Sequence, residues 1–419
     1  MDELPIEELQ NILGLTIKND NDNKIITFLC MLSAYTEGGQ FNISFNAPSS
    51  AGKSYVAMEI AKLFPKEDLM EYAYASPASF FHDHVAVEGE DGVFMNDLSR
   101  KIILFLDMPD STLLARLRPV LSHDKKIIES KITDKTEKKG MRTKKILIQG
   151  YPSVVFCSAG LKMDEQESTR LFLLSPEISQ EKIEAGINQT ILKEADGAAF
   201  NNSIESNLER QQLKARILRI REEHIDEIKL EHEASVKEGF MEGKNILKLR
   251  HQRDIKRFIS LVKAHALLNM FNRTVENKTL YATDKDVAAI LPLWNRLSKS
   301  QELSLPPYVY DIYLTVIEPL YHEKNPNELT GGSMRFGLTR KEVLEKHYKV
   351  KGTSLSPKIL ADQILVVLEA SGLITQEPDE NNRTRKLVYL TNLNPEEYIP
   401  DGYGVNDEPE ELDLSDIPF

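Results

Sequence analysis

The chain has 419 residues, 41% of them hydrophobic and 28% charged, and a net charge of −13. That length exceeds one compact domain, so two or three are expected, with the composition of an ordinary soluble globular protein. The charge excludes a protein that coats nucleic acid with its whole surface. No run approaches the roughly eighteen apolar residues of a membrane span, and the acidic start is not a signal peptide, so a cytoplasmic location is expected. Cys30 and Cys157 both lie in apolar runs and are expected as buried thiols. His82 and His84 are spaced by two with no second cluster, and are better read as ordinary histidines than as metal ligands. Residues 392–419 hold nine acidic residues and no Lys or Arg, which leaves −4 for the rest. DNA contact would therefore need a local basic patch.

In chain order, residues 1–40 read as helical, with Ile6, Leu9, Ile12 and Leu13 at helical spacing. Phe41–Asn46 reads as a short buried strand, followed by a turn and a helix from about Lys53 to Leu63. Lys101–Asp107 and Ser153–Ser158 are nearly all apolar, as central parallel strands are. Strands alternating with helical stretches predict an α/β fold with a parallel sheet. Residues 177–300 read as helical, including the charged stretch Leu208–Leu230. Residues 338–391 read as a small separate domain of two helices and a hairpin, the second helix at Ser356–Ser371. The acidic end reads as a disordered tail.

The most informative segment is A-P-S-S-A-G-K-S, comprising Ala47, Pro48, Ser49, Ser50, Ala51, Gly52, Lys53 and Ser54. In a strand–loop–helix context this is a P-loop, whose backbone N–H groups can wrap phosphates. ATP and Mg²⁺ are the expected cofactors. Lys53 would reach the β/γ oxygens, Ser54 would ligate Mg²⁺, and Gly52 permits close backbone approach. Ala47 stands where the motif usually has glycine. Asp107 ends an apolar strand some fifty residues on, where a second Mg²⁺-holding carboxylate belongs. The next residue, usually a Glu that polarises water, is Met108. Asp110 could take that part, or could cap the helix D-S-T-L-L-A-R-L; the sequence leaves both open.

Beyond this loop, blocks covering about residues 42–300 resemble AAA+ ATPases of the MCM-like replicative helicase group. They look most similar to the helicase-like ATPases of phages and mobile elements. Residues 124–149, with nine Lys/Arg against four acids, read as a β-hairpin turning at Glu137–Gly140. It precedes the third strand, as does the group's pre-sensor hairpin, which implies a DNA-gripping role for Lys135, Lys138 and Lys139. Arg170, in E-S-T-R-L-F-L-L-S-P, matches the arginine finger that reaches a neighbouring subunit's ATP. That implies a homo-oligomer, with a hexameric ring as the expected form. Ser158 stands at the polar sensor position, normally Asn. Arg253, in R-D-I-K-R-F-I-S-L-V-K-A-H-A-L-L, matches the second sensor of the helical lid, although much of that segment's pattern is packing. Nothing in the chain corresponds to the N-terminal DNA-binding domain of true MCM proteins.

The small C-terminal domain resembles a winged helix, with DNA contact through Arg383, Arg385 and Lys386 weighed evenly against a protein contact. The final residues, Asp413 with Asp416, Ile417, Pro418 and Phe419, resemble the terminal peptide of bacterial single-stranded-DNA-binding proteins. That implies host replication and repair proteins as partners. The expected organisation is a helical segment at 1–40, an ATPase core at 41–180, a helical lid and linker at 181–335, the winged helix at 336–392 and the tail at 393–419. The expected function is that of a ring-forming ATPase acting on DNA in replication of a phage or mobile element. The alternative is a non-translocating ATP switch that loads or recruits another replication protein.

Overall fold

The structure, a computed structural model, describes residues 1–47, 51–73, 80, 85–87, 93–134, 142–158, 171–244, 247, 250–326, 335–379 and 382–391. The chain opens with α1 (Ile6–Gly14) and α2 (Asn21–Ser33), then β1 (Ile43–Asn46), α3 (Lys53–Ala61) and β2 (Leu69–Tyr72). There follow β3 (Val85–Ala86), β4 (Val93–Asp97), β5 (Ile102–Phe105), α4 (Ser111–Leu121), β6 (Ile127–Asp134), β7 (Arg142–Gln149), β8 (Ser153–Ser158) and β9 (Phe172–Leu174). Helices α5 (Gln180–Ala195), α6 (Gly197–Glu205) and α7 (Leu208–Glu223) come next, then β10 (Glu227–Leu230), α8 (Glu233–Met241) and α9 (His251–Leu268). After β11 (Val275–Glu276) and β12 (Thr279–Ala282) come α10 (Asp284–Glu302), α11 (Pro307–Ile312) and α12 (Glu318–Lys324). The last elements are α13 (Arg340–Lys351), α14 (Pro357–Ile359), α15 (Leu365–Ala370), β13 (Ile374–Asp379) and β14 (Asn382–Leu390).

The central sheet is parallel, in the order β2-β5-β8-β1-β9. Its inner strands are buried along their whole length because both faces are covered, which is why they read as continuous apolar runs. Successive side chains nevertheless divide between two cores, as the pleat requires. Ile102, Leu104, Val155, Cys157, Phe172 and Leu174 face α1, α2, α3 and the lid helices. Ile103, Phe105, Val154, Phe156 and Leu171 face α4. On that second face the Phe105 and Phe156 rings stack at 5.2 Å. The segment 1–40 supplies a layer of the first core: α2 is buried from Asn23 to Ser33 and packs against α9, α3 and β8.

The basic hairpin forms as expected, Ile127 pairing with Gln149 and Asp134 with Arg142. Its turn, including Lys135, Lys138 and Lys139, lies outside the described residues. It belongs to a second sheet, β3-β4-β7-β6, that the sequence reading did not anticipate. At its root Gly150 has φ of +94°, and a Cβ there would meet the Ser99 backbone nitrogen at 2.3 Å, so only glycine fits.

The helical reading of 177–300 needs correction in two places. Helix α7 stops at Glu223, where His224 adopts φ of 49°, and β10 then pairs with β12. Around Ile228 the hydrophobic period has fallen from 3.6 to 2, exposed Glu227 and Lys229 flanking a buried Ile228. With β11 this makes a three-stranded sheet inside the lid. In the C-terminal unit, the helix expected at Ser356–Ser371 runs from Pro357 to Ala370 with a wide turn at Leu360–Ile364. The core of that unit also takes in Leu305, Val309, Val316, Ile317 and Tyr321.

Lid and N-terminus are joined at Asp286, which is fully buried. It accepts hydrogen bonds from His265 Nδ1 (2.7 Å), Arg273 Nε (2.9 Å) and the Thr283 backbone N–H (2.8 Å), while Arg273 also pairs with Glu3 at 2.7 Å. Burial alone would raise the Asp286 pKa, but the bonds from His265 and Arg273 outweigh it and hold the carboxyl well below the usual range. A depressed folded-state pKa gives stability that is present above the unfolded value and lost as pH falls through the folded one. Asp286→Asn should therefore lose about 3 kcal/mol at neutral pH, with the gap to wild type narrowing below about pH 4. Urea denaturation across pH measures this; a gap constant with pH would contradict it.

Candidate functional site

The carboxyl ends of parallel strands form the crevice in which α/β sheets bind ligands. Here β1 ends at Asn46, and the chain passes through Ala47 to the turn at Ala51–Gly52 before α3 begins at Lys53. Residues Pro48, Ser49 and Ser50 lie outside the described residues. Gly52 has φ of +88° and open space where a Cβ would project, so it supplies both the left-handed turn and room for a ligand beside the backbone. The first N–H groups of α3 have no intrahelical acceptor and point toward that space.

The Lys53 ammonium is drawn in against this turn, donating to the Ala47 carbonyl at 2.7 Å with 8% of the residue exposed. Burial lowers its pKa, and the neighbouring Cys157 and Asp107 oppose that shift. A cation held this way in a half-desolvated loop is matched to an anionic ligand. The Ser54 hydroxyl hydrogen-bonds with the Cys157 thiol from the strand beneath. Burial pushes that thiol up to about 11, so Cys157 is a packing partner of the loop and not a nucleophile.

Sheet register brings the other candidates to the same edge. Asn46 pairs with Ser158, and Phe105 with Phe156. Asp107 follows the end of β5 by two residues and lies near enough to act electrostatically on Lys53 and Cys157. Ser158 is buried, whereas Asp107 is exposed and accepts the Met108 backbone N–H at 2.8 Å. Lys53, Ser54, Asp107 and Ser158 are thus gathered at three neighbouring strand ends. Met108 is partly buried and packs against the core on the α4 face. Asp110 is the N-cap of α4, its Oδ1 accepting the Thr112 N–H at 2.7 Å. Bonds from Thr112 hold its carboxyl below the usual range.

No family model matches the chain, and no curated protein matches it.

Arg253 is exposed in the first turn of α9, where its charge acts on Arg250 and Arg257. The arginine of that helix that reaches the sheet is Arg257, which the sequence reading treated only as part of a packing helix. It donates to the Leu171 carbonyl at 2.8 Å, lies 5.6 Å over the Phe172 ring and pairs with Asp254 at 3.0 Å. Burial pushes its pKa down to about 10. Arg170, one residue before Leu171, lies outside the described residues, as do His82, His84 and Asp416, Ile417, Pro418 and Phe419. Arg383 and Arg385 are exposed on β14, remote in sequence from the sheet edge and two residues apart on one face. Cys157 had a readable signal: in a strand of period two, it shares a face with Val155, the face toward α2 and α3.

The cap gives Asp110 a structural part at the start of α4. Asp110→Ala should cost about 1 kcal/mol of stability and Asp110→Asn a few tenths at most, since Asn caps equally well. Thermal or urea unfolding of both variants checks this, and equal losses would count against the cap.

Proposed function

We propose that this chain is a P-loop ATPase of the AAA+ class that acts on DNA. The observation that carries the reading is the convergence of Lys53, Ser54, Asp107 and Ser158 on one sheet edge around an open glycine turn. Strand β8 lies between the loop strand and the Asp107 strand, which supports Ser158 as the proposed polar sensor. When bound, Mg-ATP supplies the γ-phosphoryl group and a metal that neutralises part of its charge. The residues fit that group. Lys53 would turn from the Ala47 carbonyl to the phosphate oxygens, Ser54 and Asp107 would hold the metal and its water, and the start of α3 would face the anion. Arg253 and Arg170 are the proposed second sensor and finger, the latter serving a neighbouring copy of the chain in a ring.

Two features support DNA as the partner. On the basic hairpin Lys131 stands directly opposite Lys145, and like charges in that position destabilise a strand pair unless an anion lies over them. Among the described residues the partner of Lys145 is a partly exposed Glu129 at 3.1 Å. The C-terminal helices followed by the β13–β14 hairpin support a winged helix, with Arg383 and Arg385 outward on one face.

A second reading, a slow ATP switch that loads another replication protein, is favoured by one specific arrangement. Met108 is a partly buried apolar side chain packed against the core and Asp110 is occupied by its cap, so among the described residues neither replaces the usual water-polarising Glu.

The separating experiment measures ATP turnover with and without DNA, together with displacement of a strand from a forked duplex. The helicase reading expects DNA-stimulated turnover and unwinding; the switch reading expects ATP binding, slow turnover and no unwinding. Lys53→Ala should abolish turnover in either case by removing the main counter-ion of the β/γ charge. Wild-type turnover in that variant would sink the site. Replacing Lys138 and Lys139 by Ala should reduce the slope of DNA affinity against salt by about one to two units. An unchanged slope would make the hairpin tip a solvated turn.

A further inference from the structure

Ala47 stands where a phosphate loop usually begins with glycine, and only 1% of it is exposed. The buried apolar cluster it belongs to is not one of the two that flank the sheet. It is the core of the C-terminal unit, shared with Leu305, Tyr308, Val309 and Ile312, and Ala51 packs against the same cluster. Tyr308 and Ile312 also line the cavity onto which Ala51 and Gly52 open. Two alanines of the motif therefore rest on one apolar surface that comes from far along the chain. The glycine usual at the first position leaves the backbone free to adjust, whereas a buried methyl holds it. The same Ala47 also carries the carbonyl on which the Lys53 ammonium rests.

That apolar surface is itself held on both sides. Residues 307–324 run through α11, a wide turn at Tyr313–Ile317 and α12. Val316, Ile317 and Tyr321 of this run share a core with Val343 of α13, Leu365 of α15 and Val388 of β14. Lys351 pairs with Asp311 at 2.5 Å and Lys346 with Glu323 at 2.6 Å, which ties the run to α13. On the other side, the fully buried Gln301 at the end of α10 clasps strand β9. Its Nε2 donates to the Leu173 carbonyl at 2.7 Å, and its Oε1 accepts the Leu173 N–H at 3.1 Å. Leu173 in turn pairs with Ser44 of the loop strand β1. Only four residues separate Gln301 from Leu305, so the surface under the two alanines is registered against the very strand that leads into them.

Given the reading of this loop as an ATP site, on which this rests, we propose that Leu305 and Tyr308 are positioning residues of that site. Through Ala47 and Ala51 the C-terminal unit holds the backbone of the loop in its binding shape, and ATP affinity depends on that contact. Neither residue touches the nucleotide. Each acts by sparing the loop the ordering that binding would otherwise require. Ala47 is thus an anchor, and not a tolerated lapse from glycine.

The test measures the Kd of a fluorescent ATP analogue with Mg²⁺ on the full chain, with folding checked by circular dichroism and thermal unfolding without nucleotide. Tyr308→Ala should raise Kd about tenfold, and Tyr308→Phe, which keeps the ring, should leave it at the original value. Ala47→Gly removes a single methyl and leaves the side chains of the C-terminal unit in place. It should raise Kd about fourfold although it restores the usual residue of the motif. The double variant Ala47→Gly, Tyr308→Ala should lose no more than Tyr308→Ala alone, because both changes break one contact. A contact that serves folding only would lower the melting temperature and leave Kd unchanged in the folded protein. That result, a tighter Kd in Ala47→Gly, or fully additive losses would each overturn the positioning role and leave the ATP site standing. Failure of the unaltered chain to bind the analogue would overturn the ATP reading and this role with it.

Discussion

Strand β1 has a parallel neighbour on each side, and all four of its residues are buried; Ile43 to Phe45 are held in both ladders and Asn46 pairs with Ser158 of β8. That constraint governs the candidate site, because the chain leaves the sheet here on its way to the glycine turn at Ala51–Gly52. Side chains fasten the same spot from below: Ser175 Oγ donates to the Asn46 carbonyl at 2.8 Å, and Asn23 of α2 donates to the Ser175 carbonyl at 2.8 Å. Asn42, at the other end of the strand, bridges the Leu121 carbonyl and the Val154 N–H at 2.8 and 2.9 Å. The N-terminal helices, β1 and β8 thus act as one rigid block. A loop anchored so firmly at its base can present backbone amides to an anion at little reorganisation cost.

Much of this architecture was legible in the sequence because buried parallel strands leave an unambiguous mark. The runs at Lys101–Asp107 and Ser153–Ser158 were readable, and the observed strands fall inside them. The same physics hid other elements. Strand β9 is only Phe172–Leu174, too short to show a period, and β3 is two residues long. Strand β10 was masked by the charged helix before it, whose pattern continues without a glycine or proline to mark the boundary. At the site, a motif could place Lys53, Ser54 and Asp107, whereas the part of Asp110 depended on where its carboxylate points. Only coordinates show it turned back onto the Thr112 amide.

Arg257 illustrates why the lid was harder to read than the sheet. Its helix shows an ordinary apolar stripe, and a basic residue among such positions reads as solvated. The guanidinium instead crosses the interface, satisfying the Leu171 carbonyl and stacking on Phe172, with Asp254 supplying the counter-charge. Removing one member of such a buried pair ordinarily costs more than forming the pair gains, so an arrangement of this kind fixes position more than it adds stability. Position is what matters here. Leu171 immediately precedes β9, so helix α9 pins the chain where that strand begins.

The proposed site is therefore stiff on two sides and open on a third. The base of the loop is held by β1 and its buried hydrogen bonds, and the segment leading into β9 is held by Arg257. Asp107, by contrast, is exposed, and Lys53 rests on a carbonyl that an anion can displace. Under the proposed reading the Lys53 side chain would swing to the phosphates from a backbone anchored at β1. The mild lowering of the Lys53 pKa by burial acts in the same sense: a partly desolvated ammonium gains more from an incoming anion than a fully hydrated one. Under the proposed reading, nucleotide affinity would then come mainly from the loop and Lys53. Turnover would be limited by whatever orients water beyond Met108, and the two properties could be altered by separate residues.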